Sequence, residues 1–137
     1  MADQYSITSV IICDDVRWEI NNKRSMMGVY DSVIVSESFP IWVPLLGMRV
    51  TMHIKRSKFE NIVSYIVSPS GEELTRINFS YAFGTAKLLA AMYLTFSGFT
   101  LSSPGEYLVY YGMDCDPEVI HKIPVLSKEE LDALKEE

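Results

Sequence analysis

The chain has 137 residues and a mass of 15.6 kDa, with 48% hydrophobic and 22% charged residues. That make-up excludes a disordered or fibrous chain and fits one globular domain with its own core. A net charge of −6 and a pI of about 4.9 make nucleic acid an unlikely partner, though a local basic patch is compatible with them. The start, MADQYSIT, has no basic and apolar leader, and no apolar run approaches the ~20 residues that cross a bilayer. The expectation is a cytoplasmic protein with no membrane contact.

The first element to stand out is Ile11–Tyr30. Val10, Ile12, Val16, Trp18 and Ile20 alternate with polar residues, the period of a half-buried strand. Asn21-Asn22 then supplies a two-residue turn, since Asn tolerates positive φ. This register sets Glu19 against Arg24 and Val16 against Met27, with Trp18, Met27 and Val29 on the core face. Strict alternation also puts Asp14 on that face, where a carboxylate needs a partner. Either a bulge near Asp14-Asp15 resets the phase, or Asp14 is buried and hydrogen-bonded. Asp15, Arg17 and Glu19 fall together on the other face.

At this hairpin the chain resembles an uncharacterised family of small bacterial and phage proteins. Those begin with an apolar strand, then C-D-D/E-V-R-x-E, a short turn and G-K-x-S-L-x-G-V-Y. The matching residues here are Cys13 to Glu19 and Lys23 to Tyr30, with Asn22 where the family often has Gly. The resemblance implies a compact β domain and no particular chemistry. A phage or host accessory protein that binds and blocks another protein is a role it leaves open.

Further along, strand two is expected to continue from Ser25 to Ser36. Pro40 and Pro44 make Glu37 to Val43 a loop, because a regular central strand does not accept Pro44. Leu46 to Arg56 alternates most clearly: Leu46, Met48, Val50, Met52 and Ile54 face in, and Arg49, Thr51, His53 and Lys55 face out. Ile62 to Ser68 is apolar on both faces and reads as more central. Pro69-Ser70-Gly71-Glu72 is a turn, and Leu74 to Phe83 returns as a strand. Thr85 to Phe96 divides between helix propensity in its first half and a strand from about Leu89. Ser97 to Pro104 reads as a loop, Glu106 to Met113 as a Tyr- and Val-rich strand, and Val119 to Val125 as the last strand. Ser127-Lys128-Glu129-Glu130 is a capping box that opens a short helix. The expected architecture is all-β: an antiparallel β-sandwich, Ig-like or C2-like, of 7–8 strands over residues 1–126, with a short acidic C-terminal helix or tail over 127–137.

No catalytic motif is recognisable, and no cofactor is expected. Cys13 and Cys115 are the only cysteines, too few for a disulfide scaffold, and read as reduced, buried thiols. Asp14, Asp15, Asp114 and Asp116 are the candidate ligands for calcium or another small ligand; the alternative is that Asp114 and Asp116 start a turn and Asp15 pairs with Arg17. Arg49, His53 and Lys55 form a basic stripe, suited to an anionic partner or else to protecting an edge strand by charge. Tyr107, Tyr110 and Tyr111 are candidates for a partner surface, or ordinary sheet packing. Asp14 as an acid or base would need a pocket beside it. The leading expectation is a non-enzymatic module for protein–protein contact or self-association.

Overall fold

The computed structural model describes residues 5–31, 33–54, 59–82, 89–113 and 116–135. Among them the chain forms nine strands and one helix: β1 (Tyr5–Trp18), β2 (Arg24–Tyr30), β3 (Ile34–Ser36), β4 (Ile41–Ile54), β5 (Phe59–Val67), β6 (Glu73–Ala82), β7 (Leu89–Leu101), β8 (Gly105–Met113), β9 (Glu118–Ser127) and α1 (Lys128–Lys135). The strands make a four-stranded sheet, β2-β1-β4-β7, and a five-stranded sheet, β3-β9-β8-β5-β6. Every pairing is antiparallel except β3 with β9, which is parallel.

Period-two burial explains both sheets. Leu46, Met48, Val50 and Met52 of β4 are buried, as the alternation predicts. In β5, Val63 is buried along with Ile62 and Ile66. That strand lies between β8 and β6, so its two apolar faces do mark a more central position. Both sheets feed one apolar core: Met48 and Phe96 from the four-stranded sheet join Ile66, Val109 and Val125 from the five-stranded sheet. Tyr5 meets Tyr111 edge-on at 6.0 Å between ring centroids, and Tyr111 Oη donates to Met92 Sδ at 3.2 Å. Each large side chain so enclosed contributes on the order of 1.5–3 kcal/mol.

Four expectations about strand extent and register are corrected. The segment from Ser25 to Ser36 is two strands, because the chain leaves the four-stranded sheet after Tyr30 and Ile34–Ser36 lies along Val125–Ser127 in the other. Pro44 stands inside β4. There β4 pairs with β7 alone, since its pairing with β1 reaches only Gly47, so the missing N–H costs no ladder bond on the open side. Ser97–Leu101 belongs to β7, with Phe99 and Leu101 buried. The fourth correction is the hairpin register: Trp18 faces Arg24 and Val16 faces Met26, one residue from the expected pairing. The connection is a 3-10 turn over Ile20–Asn22, with Asn21 at φ 67, rather than two residues.

The phase does change at Asp14-Asp15. A Cβ on Gly47 would lie 2.8 Å from both Cys13 Sγ and Val16 Cγ2, so two residues three apart share one face of β1. Opposite them Gly28 takes φ 67, and the hairpin keeps its register through the distortion. The phase change turns Trp18 outward, and the expected core placement of Trp18, Met27 and Val29 fails. All three are exposed, Trp18 by 71%.

The capping box forms as its residues imply. Ser127 Oγ accepts from Glu130 N at 3.1 Å, and Glu130 Oε1 accepts from Ser127 N at 3.0 Å. The helix it opens buries no residue. The proposed strand end at Phe83 lies outside the described residues, as does the start of the helical alternative over Thr85–Met92; its remainder from Leu89 is strand.

Candidate functional site

Asp14 borders a cavity of about 300 Å³. Its walls come from both sheets: Leu46, Phe99 and Leu101 from one, Ile66, Tyr107 and Ile123 from the other. Asp14 and Tyr30 bring polar groups to this apolar space, the pattern of a small-ligand pocket. Tyr30 Oη donates to Asp14 Oδ1 at 2.5 Å. Burial, and then the bond to Asp14 and its charge, push the Tyr30 hydroxyl up to about 12. Gly28 leaves room for the Asp14 carboxylate, because a Cβ there would overlap it.

The phase change in β1 creates a second feature on the outer face of the same sheet. The Arg24 guanidinium lies 3.0 Å from the centroid of the Trp18 ring and 5.3 Å from that of Tyr93. Arg49 approaches Tyr93 at 6.0 Å, and its buried Nε has no hydrogen-bond partner among the described residues. Ile20 at the hairpin tip is 84% exposed. Trp, Tyr and Arg are the side chains that dominate binding energy at protein interfaces. Sequence reasoning missed this group because Trp18 was assigned to the core. The available signal was a glycine at position 28, in the middle of an otherwise regular strand, which often marks a local distortion.

The sequence-predicted residues separate. Asp15 pairs with Arg17 at 3.3 Å. Asp116 lines a different cleft, of about 470 Å³, between Tyr5–Val10 of β1 and Glu118–His121 of β9. Asp14 lies nine residues along β1 from Tyr5, roughly 30 Å at strand rise. Asp114 and Cys115 lie outside the described residues. Among the described residues no group of three or more His, Cys, Asp or Glu side chains is placed to hold a metal ion, so Asp14, Asp15 and Asp116 do not form the joint site considered from sequence.

Arg49 and His53 share one face of β4, as expected, while Lys55 lies outside the described residues. Edge protection does not account for them, because β4 is internal, between β1 and β7. Tyr107 and Tyr111 are core residues, each 1% exposed, which corrects their assignment to a partner surface. Tyr107 Oη donates to Ser103 O at 2.7 Å. Tyr110 is on the outer face, stacked on Tyr65 at 4.8 Å, with Arg76 over Tyr65 at 4.5 Å and paired to Glu73 at 2.6 Å. Cys13 is fully buried. Desolvation raises its thiol pKa above the ordinary value, which disfavours the nucleophilic thiolate. Burial pushes His121, beside the second cleft, below the ordinary imidazole value.

No helix among the described residues is long and apolar enough to cross a membrane. No curated protein is a significant match to the sequence. One solved structure, "Crystal structure of the C-terminal domain of wzt", aligns at a TM-score of 0.46 and 10% identity over 89% of this chain and 73% of that chain. Residues 8–126, which include Ile11–Tyr30, match a defined family, and the chain belongs to it: DUF6941, a family of unknown function.

Proposed function

We propose that this protein is a non-enzymatic β-sandwich, Ig-like or C2-like, that acts through protein–protein contact on the outer face of its four-stranded sheet. The sandwich reading is supported by the shared core, to which both sheets contribute side chains. The contact reading is carried by one observation: Arg24 over Trp18, with Tyr93 and Arg49 beside it, on a sheet face that also exposes Leu89. Stacking holds the guanidinium groups before any partner arrives, which lowers the entropy lost on binding. Two arginines on this face favour an acidic partner surface, either another protein that is bound and blocked or a second copy of this acidic chain. The titratable groups at the apolar cavity, Asp14, Tyr30 and Tyr107, do not make a nucleophile–base pair.

The test compares the wild type with Trp18→Ala/Arg24→Ala. Light scattering across a concentration series reads self-association, and quantitative affinity capture from the native host reads a foreign partner. The expected result is a complex that weakens at least tenfold in the double variant. A monomeric wild type whose captured proteins are the same as those of the variant would overturn the proposal.

A further inference from the structure

We infer that the cavity beside Asp14 is a binding site for a small amphiphilic amine, with the alkyl or aryl body between the sheets and the ammonium group on Asp14. The inference does not rest on the contact face, which lies on the other side of the four-stranded sheet. Three observations carry it. At about 300 Å³ the space is at the small end of ligand pockets, so the occupant is small. Its wall is apolar, from Leu46, Ile66, Phe99, Leu101 and Ile123, so the occupant's body is apolar too. Its polar end is fixed in both position and sign. Asp14 accepts from Tyr30, and among the described residues no cation pairs with it.

A carboxylate with one hydroxyl donor still has acceptor capacity for an N–H donor. Asp14 is exposed at the edge of the cavity, and a cationic donor makes a charge-assisted bond with it that a neutral donor does not. The same carboxylate repels a second anion, which excludes fatty acids. The bond from Tyr30 orients the Asp14 side chain, so the acceptor is in position before the ligand binds. The site therefore selects by charge at one end and by size along its length.

The test titrates the full chain with octylamine, octan-1-ol and octanoate. Calorimetry gives affinity, and methyl NMR shifts of Ile66 and Leu101 give location. Octylamine should saturate one site at least tenfold more tightly than octan-1-ol, move the cavity methyls, and leave octanoate without saturable binding. Asp14→Asn should bring octylamine down to the level of octan-1-ol without changing octan-1-ol itself. If Asp14→Asn does not fold, Tyr30→Phe decides: the amine preference is expected to persist or grow, since the carboxylate loses its competing donor. Equal binding of all three probes, absence of saturation, shifts away from the cavity, or an amine preference that survives Asp14→Asn or is lost in Tyr30→Phe would each overturn the inference.

Discussion

At position 28 a side chain has nowhere to go. Gly28 sits at φ 67, and a Cβ would overlap the Asp14 carboxylate. Gly28→Ala combines a left-handed backbone penalty of roughly 1–2 kcal/mol with that overlap. The variant should therefore lose about 2 kcal/mol or more in urea unfolding, and pairing it with Asp14→Ala should recover the share due to the overlap. Tyr30 gives a pH prediction. Its folded-state pKa is raised to about 12 against about 10 in an unfolded chain, so the native state favours the neutral hydroxyl. The stability this provides is complete below about pH 10 and is lost as the pH rises towards 12. The stability difference between wild type and Tyr30→Phe should be flat from neutral pH to about pH 10 and shrink above it. From sequence, Asp14 could be singled out as a carboxylate in a strand. Its partner Tyr30 could not, because their meeting depends on a turn whose length decides the register.

Among the elements, the middles of strands were readable and their ends were not. β4 from Leu46, β5, β6, β8 and β9 follow from alternation and turn residues, which are local signals. The start of β4 at Ile41 was lost to Pro44, because whether a proline is tolerated depends on which neighbour its N–H would face. The last part of β7 was lost because Gly98, at φ 69, reads locally as a loop residue, while Phe99 and Leu101 on its far side are core. β3 was lost because its sheet is chosen by β9, which lies far along the chain. The helix α1 was fully readable, since a capping box spans four residues. Ser127→Ala should cost about 1 kcal/mol within α1 and speed amide exchange there. The overall melting temperature should hardly move, because α1 buries no residue.

For the molecule as a whole, the inward stripe of β4 and its counterparts across the core carry the stability. Met48→Ala should cost about 2–5 kcal/mol and Phe96→Ala about 3–5 kcal/mol. Trp18→Ala, at 71% exposure, should cost far less while disrupting the arginine stack. Denaturation midpoints of these three variants separate core from surface directly. The all-β class and the apolar middle were legible because burial imposes period two along every long strand. The candidate site was legible only at Asp14 and Arg49, since Trp18, Arg24 and Tyr93 come together only once the sheet has formed.

The parallel pairing of β3 with β9 has a consequence during synthesis. Ile34–Ser36 leaves the ribosome long before Val125–Ser127, and β4 through β8 must be translated between them. Throughout elongation this strip of the nascent chain waits without its neighbour. A ribosome stalled just short of β9 should hold a chain with an open sheet margin, available to a holdase chaperone until the last strand emerges and closes it.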